Sequence, residues 1–290
     1  MLTLHIMELV LIVKVSIVII TYKNPKNLRR ALITATNQTY KNKEIIVVDG
    51  ANWQVNENVV KEFGPKIIYK EVEPKAVNLP GYKGAQNARN VGCKIATGEW
   101  IAMLDDDDEW TKDKIEKQVG HIDANISLIV CWAKTYTENG YFLDKPNRII
   151  TYKYLLKNFN LSNTSSYFIR KKTLEEVGWW DIDVKGMQEY DIALKISKRG
   201  YDIVTVCLPL LIRNRNFDEQ LGSIYWKIAE RFQFWNRYGD DALKLLTRKE
   251  IAVKLTIMVG LLCFYSLGYI LHNRIWKIIY PLKRAYEGSY

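Results

Sequence analysis

Residues 98–110 read GEWIAMLDDDDEW. An apolar run that has to be buried delivers four consecutive carboxylates, Asp105 to Asp108, in a chain whose net charge is +10. Carboxylates this close repel one another unless a cation compensates them. Hard divalent ions, Mg²⁺ or Mn²⁺, take oxygen ligands and are often held by one or two carboxylates together with substrate phosphates. Asp105 and Asp107, two apart in an extended segment, project to one side and suit that task. The plain alternative is a solvated acidic turn; the position at the end of a buried strand, opposite Asp49, weighs against it.

The elements that must position these groups follow from periodicity. VSIVIIT (15–21) is a β-branched run that reads as a buried strand, NLRRALITAT (27–36) repeats apolar positions at helical spacing, and EIIVV (44–48) is a second buried strand stopped at Asp49-Gly50. A strand, a helix and a strand make a βαβ unit and predict a parallel sheet. The alternation continues through a strand at 66–72, a helix at 85–96, the strand at 99–104 that runs into the aspartates, and another at 128–137. The segment at 138–148 reads as loop. After it come a strand, a short helix, a turn through Gly178, a helix beginning near Gln188 and a final strand. Open α/β sheets bind ligands at the carboxyl ends of their strands. Thr21-Tyr22, Asp49 and the aspartates all fall there and predict one crevice.

Composition sets the frame. Hydrophobic residues make up 48% and charged residues 26%, the proportions of a folded protein. Four widely separated cysteines with no CxxC pair indicate neither a zinc site nor a disulfide scaffold and fit a reduced, cytosolic setting. Glu8 and Lys14 interrupt the apolar start, and no small-residue cleavage site follows, so we read an N-terminal strand rather than a signal peptide. The positive charge is uneven: from Ala242 to Tyr290 there are eight lysines and arginines against two glutamates.

The sequence resembles the inverting nucleotide-sugar glycosyltransferases of family 2, which have the GT-A fold. The segments that carry the resemblance are VSIVIITYKNPKNLRRALITATNQTYKNKEIIVVDG, ARNVGCKIATGEWIAMLDDDDEW, FIRKKTLEEVGWWD and QEYDIALKISKRG, in the family's order, across residues 15 to about 215. The resemblance implies a Rossmann-like, mostly parallel central sheet with flanking helices. It also implies roles. Thr21 and Tyr22 match the strand end that contacts base and ribose, Asp49 matches the first aspartate of a usual Asp-Asp pair, and Arg89 matches an arginine facing the nucleotide-sugar. Asp105 and Asp107 match the Asp-x-Asp metal motif, with Asp107 on the Mn²⁺ or Mg²⁺ that holds the diphosphate and Asp106 near the ribose. Where relatives read EDYDLW this chain reads QEYDIA, which makes Glu189 the catalytic base, with Asp191 beside it. Trp179 and Trp180 stand where relatives often have GGFD, near the acceptor. Exposed first-turn acids and structural tryptophans are the ordinary alternatives. Gly50 in place of the second aspartate leaves UDP- and GDP-sugars both open as donors. RNRN (213–216) lacks the histidine that assists the metal in some relatives, and no Gln-x-x-Arg-Trp follows the base, which predicts single-sugar, non-processive transfer.

We place the catalytic domain at 1–220 and a helical region at 221–290. Residues 255–271 form an uncharged run that as a helix would span roughly 25 Å, short of the ~30 Å hydrocarbon core. Basic residues flank it on both sides (Arg248, Lys249, Lys254; Arg274, Lys277), so charge selects no orientation and a helix lying in the interface fits better than a span. A peripheral or C-terminally anchored enzyme at the cytoplasmic face of the membrane, acting on a lipid-linked sugar or other membrane glycan, is the resulting expectation. The sequence leaves homo-oligomerisation open. The rival readings are a non-catalytic GT-A module that binds a sugar nucleotide or a protein, and a nucleotidyltransferase, for which TYKNPKN is the wrong phosphate loop. Nucleic-acid binding ranks last, because the basic residues accompany a membrane-like apolar run.

Overall fold

The computed structural model describes residues 13–51, 54–72, 82–138, 140–158, 161–184, 186–214 and 220–260. The chain forms two compact units, Met1–Phe217 and Asp218–Tyr290.

The first unit is built on one ten-stranded sheet. In chain order its elements are β1 (Val15–Thr21), α1 (Pro25–Thr36), β2 (Lys43–Asp49), α2 (Gln54–Glu62), β3 (Ile68–Glu71), α3 (Tyr82–Ile95), β4 (Trp100–Asp105), β5 (Asp108–Trp110), α4 (Lys114–Val119) and β6 (Ile126–Thr137). There follow β7 (Gly140–Asp144), β8 (Ile149–Ile150), α5 (Tyr152–Lys157), a 3-10 turn (Thr164–Ser166), β9 (Phe168–Arg170), α6 (Lys171–Glu176), α7 (Gln188–Lys198) and β10 (Asp202–Asn214). The strand order is β3-β2-β1-β4-β9-β6-β10-β5, with β7 on β6 and β8 on β10.

The expected mostly parallel sheet is corrected to a mixed one. β3, β2, β1 and β4 are mutually parallel. β9 then enters antiparallel to both β4 and β6, and β5, β7 and β8 also pair antiparallel. Parallel pairing needs a long crossover, which the first half supplies as helices; in the second half β10 still pairs parallel with β6, while the short return after β6 gives the antiparallel β7 and β9 is inserted against the direction of both its neighbours. Two antiparallel junctions restore the original direction, so β4, β6 and β10 end on the same edge of the sheet as β1 and β2.

Sequence explains the elements that bound the site. Every residue of β1 is buried, as a β-branched strand covered on both faces must be. α1 starts where Pro25 presets φ and the Asn24 side chain accepts from the Asn27 N–H. α3 lies unusually close to the sheet: a Cβ on Gly92 would stand 2.4 Å from Val18 Cγ1. That closeness brings Arg89, one turn earlier on the same helix face, over the ends of β1 and β4.

At the opposite edge of the sheet Glu44 ties β2 to the loop before β4. Partial burial pushes its carboxyl up, but hydrogen bonds from Ser16, from the backbone and hydroxyl of Thr97 and from Lys14 outweigh this and hold it down at about 2. An acid depressed in the fold contributes stability above its unfolded value near 4.5, lost as pH falls towards 2. Glu44→Gln is therefore expected to lower stability at pH 7 by about 2 kcal/mol, allowing for some screening. It should also flatten the acid-unfolding curve between those values, as urea titrations across pH will register.

In the second unit α8 (Gln220–Leu245) precedes a helical stretch at 248–260. Phe234 and Tyr238 are buried within it, and Lys254 lies 4.4 Å from the Phe234 ring centroid. Among the described residues no helix is long and apolar enough to cross a membrane. The predicted interfacial run at 255–271 falls outside the described residues beyond 260.

Candidate active site

The acidic run does not continue as a strand. β4 stops at Asp105, Asp106 and Asp107 make the turn, and Asp108 opens β5. The extended geometry expected of Asp105 and Asp107 is thereby corrected: the chain turns within the run at Asp106 and Asp107. Each carboxylate receives a different environment.

Asp105 takes a 2.8 Å ion pair from Arg89 Nη2, and its backbone N–H donates to Ser165 Oγ at 3.0 Å. Arg89 is 3% exposed; burial works against its charge, but Asp105 and then Glu189 outweigh that and raise its pKa above the ordinary arginine value. Its Nη1 donates to Gln188 Oε1 at 3.3 Å and its guanidinium lies 5.3 Å from the Trp180 ring centroid. Asp106 accepts a 2.6 Å bond from the Thr21 hydroxyl; burial, with Asp107 and Asp105 beside it, pushes its carboxyl up to about 7. Asp107 keeps an open face to solvent, yet removal of water from its carboxyl, then the charge of Asp105, raise its pKa. Asp108 is buried, bonded to Asn163 Nδ2 at 2.7 Å with Arg213 Nε at 3.7 Å. Burial and the neighbouring aspartates raise it too.

These groups open onto one cleft of about 390 Å³, lined by Ile20, Thr21, Tyr22, Gly50, Gly84, Ala85, Ala88, Arg89 and Asp105 to Asp107. Its size is that of a small-molecule site. The strand-end convergence expected from the sequence thus brings Thr21, Tyr22, Arg89, Asp105, Asp106 and Asp107 together. Tyr22 is 58% exposed at the rim, with Lys23 Nζ 5.8 Å from its ring centroid. Asp49 is fully buried behind this wall: Oδ1 accepts from the Ala51 N–H, and Oδ2 from Asn56 and the Tyr69 hydroxyl. It shapes the backbone at Gly50.

Glu189 sits in the first turn of α7, half-buried, accepting at Oε1 from Thr164 Oγ1 at 2.9 Å. Asp191 is 1% exposed and ion-paired to Lys195 at 2.7 Å. Trp180 is buried between Tyr167 and Arg89. Trp179 is half-buried with φ of 64°, the left-handed conformation a glycine adopts freely. Sequence reasoning placed Asp108 with the other aspartates at the strand end without a separate role and passed over Asn163, Thr164 and Ser165; a short polar run gives no local sign that it will be buried.

Among the described residues no three carboxylate, imidazole or thiol groups are arranged to hold a metal ion. Asp107, with Asp105 beside it, nevertheless fits a hard dication whose remaining ligands come from phosphate and water.

The Glycosyl transferase family 2 model matches residues 16–177. The chain is 26% identical over 264 residues to the Escherichia coli UDP-Glc:alpha-D-GlcNAc-diphosphoundecaprenol beta-1,3-glucosyltransferase WfaP, covering 89% of this chain and 95% of that protein. It is 32% identical over 224 residues to the uncharacterized glycosyltransferase MJ1057 of Methanocaldococcus jannaschii, covering 72% and 74%. Among solved structures it shares its fold with the mannosyltransferase PcManGT of Pyrobaculum calidifontis, in complex with GDP-Man and Mn²⁺, at a TM-score of 0.59 and 17% identity, covering 91% and 83%.

Proposed function

The chain belongs to glycosyl transferase family 2, and on that footing we propose that it moves one sugar from a nucleoside-diphosphate sugar to a hydroxyl acceptor by a metal-dependent, inverting displacement. The observation that carries this reading is the convergence of Thr21, Tyr22, Arg89 and the Asp105–Asp107 turn on one cleft. Tyr22 and the Gly50 backbone offer a face and an edge to the base, and Thr21-Asp106 faces the ribose. Asp107, with Asp105, would hold Mn²⁺ or Mg²⁺, which when bound offsets the charge that builds on the departing diphosphate. Glu189 takes the acceptor hydroxyl proton as that oxygen bonds to the anomeric carbon and the bond to the diphosphate oxygen breaks. Attack opposite the leaving group inverts the anomeric centre. Arg89, between Asp105 and the start of α7, keeps the donor cleft and the base in register.

The acceptor we propose is a lipid-linked glycan precursor, supported by the diphosphoundecaprenol acceptor in the name of the Escherichia coli relative. Val253, Leu255, Ile257 and Val259 are exposed on the helical stretch of the second unit, apolar area that a membrane surface would cover. The test is calorimetric titration of UDP and of GDP, each with and without Mn²⁺. One nucleotide is expected to bind only with the metal, which fixes the donor base. Failure of both to bind under any condition ends the transferase reading in favour of a binding module.

A further inference from the structure

One short turn touches both halves of the site. Asn163 bonds Asp108 at 2.7 Å, Ser165 Oγ accepts the Asp105 N–H at 3.0 Å, and the Ser165 carbonyl accepts from Trp110 Nε1 at 2.8 Å. Thr164, between them, donates its hydroxyl to Glu189 Oε1 at 2.9 Å, and Tyr167 donates to the Glu189 carbonyl at 2.8 Å. Thr164, Ser165 and Ser166 are completely buried. Three buried hydroxyls in succession are costly to desolvate unless each is bonded, and here they are bonded to the acidic segment, to Glu189 and, through Ser166 Oγ, to the Asn163 carbonyl.

Glutamate carries one more rotatable bond than aspartate, so its carboxylate sweeps a wider arc unless something holds it. Oε1 is held by Thr164; Oε2 has no hydrogen-bond partner among the described residues. A carboxylate tethered through one oxygen presents the other in a fixed direction, which is what proton removal at a defined angle requires. We propose that Thr164 is a positioning residue for Glu189, and that the Asn163–Ser166 turn sets the distance between this carboxylate and the acidic cluster. The inference rests on Glu189 being the base.

Valine matches threonine in shape without the hydroxyl, and serine restores the donor. The reaction followed is Mn²⁺-supported hydrolysis of UDP-glucose or GDP-mannose, whichever nucleotide the wild type binds, read as release of nucleoside diphosphate. Thr164→Val is expected to lower kcat about tenfold with the donor KM within about twofold of wild type, and Thr164→Ser to recover most of the loss. A purely structural role would instead raise KM as kcat falls, and serine would not rescue selectively. A second readout needs no substrate: in crystals of Thr164→Val the Glu189 carboxylate should leave its present position, and in Thr164→Ser it should remain. Wild-type kcat in Thr164→Val, or an unmoved Glu189, overturns the inference. Glu189→Gln separates the two failures: if it keeps turnover, the base assignment falls and this inference with it. If it loses turnover while Thr164→Val does not, only the positioning role falls.

Discussion

Asp107→Ala is expected to abolish Mn²⁺-dependent nucleotide binding and to lower donor turnover by roughly 10²–10³-fold, the scale of losing one preorganised charge contact. In the same experiment the metal-free variant should melt higher than wild type at pH 8. Both effects come from one cause. Burial and the like charges of Asp107 and Asp105 push Asp106 up to about 7, well above an unfolded aspartate near 4. Between those values the native chain holds a proton that the unfolded chain has released, so stability falls as pH rises through the window. Removing Asp107 removes one of the charges responsible. A dication does the same for the intact site by displacing the protons, so its apparent affinity should rise from pH 6 to 8. Melting curves at pH 5 to 8, with and without Mn²⁺, separate the cases: wild type gains from metal most at high pH, and the variant gains little anywhere. The Glu44 effect lies below pH 4.5 and has the opposite sign, so the two do not overlap. A variant that still binds nucleotide with metal would move the cation elsewhere.

Local pattern was enough where local pattern determines the structure. β1, β2 and β4 are continuous apolar runs because both their faces are covered, and α1 and α3 carry helical periodicity with a cap or a close-packing glycine. The residues at those strand ends, Thr21, Tyr22 and Asp105 to Asp107, were therefore legible as one crevice, with Arg89 placed by resemblance. What was not legible depends on long-range pairing. β9 is three residues long and earns its place only by lying between β4 and β6; nothing in Phe168-Ile169-Arg170 announces that partner. β7 looks like loop because Gly140 to Asp144 is an exposed edge strand. Asp108 is identical in type to its three neighbours and differs through Asn163, Ser165 and Arg213, which approach from distant segments. Asp49, expected at the ligand, has its oxygens occupied by Ala51, Asn56 and Tyr69, and those partners are not visible in the run EIIVVDG.

The second large effect concerns Glu189. Glu189→Gln keeps the size and the capacity to accept from Thr164, but cannot take a proton, so turnover is expected to fall by roughly 10²–10⁴-fold, the range of a general base. Nucleotide binding with Mn²⁺ should remain at wild-type strength, because Glu189 does not line the donor cleft. That separation is the informative part: Asp107→Ala loses binding and turnover together, whereas Glu189→Gln loses turnover alone. One coupling qualifies the picture and can be measured. Glu189 is among the charges that sustain Arg89 in its buried position, and Arg89 in turn holds Asp105 and Gln188. Neutralising Glu189 leaves Asp105 as the stronger partner, so the guanidinium should stay and the donor cleft keep its shape. Glu189→Asp retains the charge but shortens the reach by one methylene, away from Thr164, and should fall between wild type and Glu189→Gln. If Glu189→Asp instead matches wild type, reach is unimportant and the base acts through water; if Glu189→Gln turns over normally, the proton leaves by another route.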